Sequence, residues 1–314
     1  ERVNFNDNSS TGILVQARGA IRLANLDVSN NGGFGAYIDA RNANLGAAST
    51  LLNVGFGNNR LTGLHLETRG PITATNIDAG NNNNGDDSMQ YNSIGGAYIN
   101  NAAGSGAVNI LRTNPLGSNW FGSNEGDGLT IIANGAIIVT RLSASWNAGT
   151  GAQLDNCLWS GSEADFNCYG TGTVSINNPS GYASDFTNNW GSGLQVSSRY
   201  AISASNLTAS SNGNHGVIFD NNWSNSSGGV NLTAVGGHQN DMSGNGNRGL
   251  GVYSRGAITI NRVSANDNGN FGAVLSNQGA LTPLGVTVNS GDFSRNHNDG
   301  LRITSKGQVT VTDA

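Results

Sequence analysis

Apolar residues in this chain stand in pairs two positions apart, and the pairs keep fixed distances from a set of glycines. Six Gly-apolar dipeptides open similar segments: Gly12-Ile13, Gly63-Leu64, Gly128-Leu129, Gly193-Leu194, Gly249-Leu250 and Gly300-Leu301, at spacings of 51, 65, 65, 56 and 51 residues. Three residues after each glycine come Val15, Leu66, Ile131, Val196, Val252 and Ile303. Nine after it come Ile21, Ile72, Ile137, Ile202, Ile258 and Val309, and further apolar columns follow at 14 and 16, as in Leu26 and Val28. A step of two is the strand period, one face in and one face out. Polar or glycine residues between the pairs suit bends. The pattern predicts three short strands per turn of a coil.

A second glycine marks the next turn. Gly35, Gly151, Gly216 and Gly272 each follow their anchor by 23 residues and open a similar run, as in Gly35-Ala36-Tyr37-Ile38. Gly96 plays this part in the second unit, after an insertion. The basic period is therefore 23, doubled into a two-turn unit, and roughly eleven turns at about 4.8 Å predict a rod about 50 Å long. Two Asn columns accompany the glycines: Asn31, Asn82, Asn147, Asn212 and Asn268 nineteen after the anchors, and Asn8, Asn59, Asn124, Asn189, Asn245 and Asn296 four before them. Asn tolerates left-handed backbone and carries a two-way hydrogen-bonding amide, so stacked copies predict ladders at a corner. Seven before the anchors stand Phe5, Phe56, Phe121, Phe186, Met242 and Phe293, read as an internal aromatic stack.

Composition agrees with a thin core and many turns. The 314 residues include 47 Gly, only 11% charged and 36% hydrophobic residues. A net charge of −5 with scattered basic residues argues against a nucleic-acid partner. No apolar run is long enough to span a membrane. Both ends fall beside or inside repeat elements, so the expectation is a single tract, 1–314, cut from a longer chain. Cys157 and Cys168 share one irregular loop, which reads as a local disulfide in an oxidising compartment, with two unpaired thiols as the alternative.

These columns resemble the right-handed parallel β-helix repeat family, which includes bacterial surface proteins, adhesins and pectate-lyase-like enzymes. The resemblance covers Phe5 to Val311. It implies an all-β solenoid, right-handed as parallel crossovers generally are, and leaves activity open because one such scaffold hosts many functions.

Candidate chemistry is sparse. Asp86-Asp87 and Glu163 with Asp165 are read as loop carboxylates, since their loops leave the coil at different corners, and Glu125 with Asp127 as solvated carboxylates flanking the corner before Gly128. Gly85-Asp86-Asp87, Asn214-His215-Gly216 and Arg302-Ile303-Thr304 imitate polygalacturonase motifs only in part. His65, His238 and His297 stand isolated, which indicates no zinc site. Asn266-Asp267-Asn268-Gly269 is a possible calcium corner, read first as a plain turn; no other cofactor is expected. A basic column lies six after the anchors: Arg18, Arg69, Arg199, Arg255 and Lys306, with Asn134 in the third unit. It reads as a solubilising corner or as a line for acidic glycans or a neighbouring rod. Trp159 and Trp223 sit in variable loops at one corner and are candidates for stacking on sugars or on protein. The sequence thus predicts a structural or adhesive rod outside the cell, binding glycan, protein or its own copies. The alternative is a polysaccharide lyase or glycoside hydrolase, which requires the inserted loops to close over a groove.

Overall fold

The computed structural model describes residues 2–82, 95–113, 117–158 and 168–313. Those residues form 28 strands, all paired in parallel, and contain no helix. One sheet of eleven strands runs the length of the coil, from Ile13–Gln16 through Leu129–Ala133 to Leu301–Thr304. The other faces form a second sheet of 17 strands. The chain is a parallel β-helix of eleven levels.

The second sheet contains the bend that separates the second and third strand of each turn. In Ile21–Asp27, Ser49–Gly55 and Ile72–Asp78 the strand passes through one residue in left-handed conformation: Asn25, Asn53 and Asn76, at φ 53–55°. Where the bend breaks the ladder, two short strands flank it, as Ile202–Ser205 and Leu207–Thr208 flank Asn206. A single residue of this kind redirects the chain without a loop, and Asn adopts that conformation at low cost.

Register is set by the apolar columns. Leu129, Ala152, Leu194 and Val217 lie side by side at successive levels, as do Ile137, Val174, Ile202 and Val230. Phe56, Phe121, Phe186 and Met242 are fully buried. They do not form a continuous aromatic stack. Backbone bonds from Phe186 to Thr208 and from Ala144 to Asp185 place Phe186 between Ala144 and Ala209. The column therefore alternates large and small, with Val28, Ala79, Ala144, Ala209 and Ala265 at the intervening levels. A phenyl ring is wider than one level is tall, so a methyl above and below lets each ring fill the coil at native density. Phe293 is only partly buried and Phe5 is exposed.

The two Asn columns prove to be one ladder. Asn8, Asn31, Asn59, Asn82, Asn124, Asn147, Asn189, Asn212, Asn245, Asn268 and Asn296 occupy successive levels, and each side-chain amide donates to Oδ1 of the next at 2.8–3.1 Å. The same Oδ1 accepts the backbone N–H of the preceding rung. Every rung follows a residue at φ 55–70°. The anchor glycines close against this ladder: a β-carbon on Gly193 would meet Gly216 O at 2.7 Å and Asn212 Nδ2 at 2.8 Å.

Candidate functional site

Loops of unequal length leave the coil at the corner after the eleven-stranded sheet. At their base lies a feature the sequence reading missed. Asn101, Asn156 and Asn221 end, and Asn277 directly follows, the strand that precedes a long loop, and all four are fully buried. Asn101 Nδ2 donates to Gly106 O, Asn221 Nδ2 to Gly228 O and Asn277 Nδ2 to Leu284 O, at 2.8, 2.8 and 2.6 Å. Each amide ties the returning end of a loop to its start. The signal was present, since all four stand five residues after the second glycine of their unit.

The basic column occupies the short corners between these loops. Three of its members turn toward the loops: Arg199 Nε donates to Asn225 O at 3.3 Å, Arg255 to Ser224 O, and Lys306 Nζ to Ala280 O at 2.6 Å. Arg199 and Arg255 thus hold the 222–228 loop from two levels. Arg69 Nε is buried without a hydrogen-bond partner, and Arg18 is exposed. Trp223 lies partly buried in that same 222–228 loop.

Cys157 and Cys168 form a disulfide with Cα atoms 4.5 Å apart. Asn225 accepts from Cys168 N at 3.0 Å and donates to Cys168 O at 2.7 Å, imitating a strand pair. Cys168 therefore docks on the 222–228 loop through Asn225. Trp159, Glu163 and Asp165, with Asp86 and Asp87, lie outside the described residues.

Two surfaces gather chemistry elsewhere. On the eleven-stranded sheet His65 is not isolated: its ring stacks between Tyr37 and Tyr98 at 4.7 and 4.9 Å, and Nε2 stands 3.2 Å from Glu67 Oε1. Arg41 bridges Asp39 and Glu67 at 2.8 and 2.7 Å, and its hydrogen bond to Asp39 lowers that carboxyl to about 2.

On the opposite sheet a cleft of about 500 Å³ is lined by Asp27, Gly55, Asp78, Arg112 and Trp120. Asp27, Gly55 and Asp78 are register partners, so the two carboxylates stand two levels, about 10 Å, apart with a gap between them. The Trp120 indole lies so close on Gly80 that a β-carbon there would come within 2.1 Å of the ring. Desolvation at the cleft floor raises the pKa of Asp78, which remains open to solvent at the mouth.

Among the described residues no group of three or more His, Cys, Asp or Glu is placed to hold a metal ion. At the corner considered for calcium, Asp267 is bound by Arg295 through two contacts of 2.7 Å, and Asn268 Oδ1 serves the ladder. Sequence reasoning also passed over Trp146 and Trp190, which are 66% and 81% exposed.

No family model matches the chain, and no curated protein or solved structure matches it.

Proposed function

We propose that this chain is an extracellular scaffold rod that binds carbohydrate on its surface. The observation that carries this reading is the unbroken eleven-rung ladder at one corner of the coil, with loops of very different length at another. A coil whose interior repeats while one corner varies is suited to present binding surfaces at fixed separations. The Cys157–Cys168 disulfide supports an oxidising compartment, and the resemblance to β-helix surface proteins points the same way. The test is affinity electrophoresis against soluble neutral and acidic polysaccharides. Retardation by at least one of them is expected, and unchanged mobility in every gel would overturn the binding assignment.

A second reading is favoured by the cleft between Asp27 and Asp78. Two carboxylates about 10 Å apart across the gap left by Gly55, with an indole beside them, come near the separation of about 6.5–9.5 Å between the acid and base in an inverting glycosidase. Incubation with polysaccharides, read as new reducing ends and repeated with Asp78→Asn, tests it. Release that survives the substitution would assign hydrolysis to another place.

A further inference from the structure

We infer that Trp146 and Trp190 form a stacking platform for an uncharged polysaccharide, a site that deepens and rests on the carbohydrate-binding reading. Both indoles stand in solvent, 66% and 81% exposed, at the ladder corner of adjacent levels. Singly exposed apolar residues are ordinary, but two indoles lining one trough form a contiguous apolar patch, and such patches mark interaction sites.

Coil geometry does not ask for either indole. Trp146 has φ 65°, immediately before rung Asn147. At other levels this position carries Asn, Asp, Ser or Gly, the residues that enter the left-handed region easily. Arg295 also departs from that set, and its guanidinium grips Asp267. The Trp146 side chain instead projects outward. Trp190, one residue after rung Asn189, shares its column with Gly213, Gly246 and Gly269, all exposed. A bulky residue held in strained backbone and left in water is a functional signature, since packing gains nothing from it.

The surroundings specify the ligand. A shallow trough of about 500 Å³ separates the two rings, lined also by Asn188, Ser211 and Gly213, with no charged side chain among the described lining residues. That volume lies within the range of small-ligand sites. Beyond Trp190 the glycine column leaves a flat track. Beside it runs an outer amide rail, in which Asn247, Asn270 and Asn298 each donate to the Asn before it at 3.4, 3.0 and 2.5 Å. The rail, from Asn214 to Asn298, spans about 14 Å. A sugar ring presents C–H groups on its faces and hydroxyls on its rim. The faces suit the electron-rich indoles, and the rim suits amides that both donate and accept. Nothing in the trough would favour a carboxylated or sulfated sugar.

The experiment titrates the intact chain with soluble β-glucan, xyloglucan, galactomannan and, for comparison, pectate and heparin. Trp146→Ala, Trp190→Ala and an Arg255→Ala control accompany the wild type. The expected result is binding of a neutral glycan, weakened at least about tenfold by either Trp substitution with the melting temperature of the Trp variants unchanged, and unaltered by Arg255→Ala. Neutral-glycan binding that survives both Trp substitutions overturns the platform and leaves the carbohydrate reading standing. Binding of pectate or heparin alone does the same. No binding by the wild type to any glycan overturns both.

Discussion

The side-chain amide of Asn147 donates to Asn189 at 3.0 Å across 42 residues of chain, and Asn189 makes the same bond to Asn212 across 23. The extra chain leaves the coil at another corner and does not disturb the rung. Level-to-level registry is thus set by the interior, and the loops are free to differ.

Removing a rung tests this. In Asn147→Leu the backbone N–H and amide of Asn124 lose their shared acceptor, and the N–H and amide donors reaching Asn189 lose one member. Each orphaned buried group costs about 1–3 kcal/mol. The expected outcome is a urea midpoint lowered accordingly with an unchanged slope. A midpoint equal to that of the wild type would contradict a buried, continuous ladder.

Phe186→Ala opens a void between Ala144 and Ala209 in the middle of the column and is expected to cost about 3–5 kcal/mol. Phe293→Ala, at a partly exposed level, is expected to cost less. Chemical denaturation of both variants checks the order.

The sequence suggests that Arg199→Ala should spare stability and weaken only ligand binding. The structure changes that expectation. Loss of the bond to Asn225 O should cost about 0.5–1 kcal/mol and loosen residues 222–228. Hydrogen exchange localised to that loop is the measurement, and unchanged protection there would free the basic column for another role.

Burial raises the carboxyl pKa of Asp127, Asp155, Asp185 and Asp220. The native state therefore binds protons more tightly at these groups than the unfolded chain does. Their destabilising effect is absent below the ordinary carboxylate value and grows as pH rises through the raised ones. Asp39 has the opposite sign: its contribution is present above the ordinary value and is lost toward about pH 2. As pH falls from the raised values toward the ordinary carboxylate value the melting temperature is expected to rise, and in stronger acid to fall; His215, whose pKa burial lowers, acts with the opposite sign at the milder end. Calorimetry across that range decides, with Asp220→Asn flattening the first slope.

Architecture was legible because each level copies its neighbours, so Leu129, Leu194 and Leu250 announce one another in the sequence. The merging of the two Asn columns was not, because they are offset by a strand-and-corner path that differs between alternate turns. Loop-closing residues such as Asn221 hid among many Asn. Surface pairs were the least legible: Asp27 with Asp78, and Tyr37 with His65, meet only when turns of unequal length are brought into register. Trp146 and Trp190 carried no sequence pattern beyond breaking one.

The Phe–Ala alternation also limits how such a chain can change length. Excising one coil would bring two phenyl rings to neighbouring heights, or two methyls, leaving a clash or a hole. Excising two coils restores the sequence of sizes at the seam. Growth and shrinkage by even numbers of coils therefore disturb the column least, a parity rule written into the width of a benzene ring.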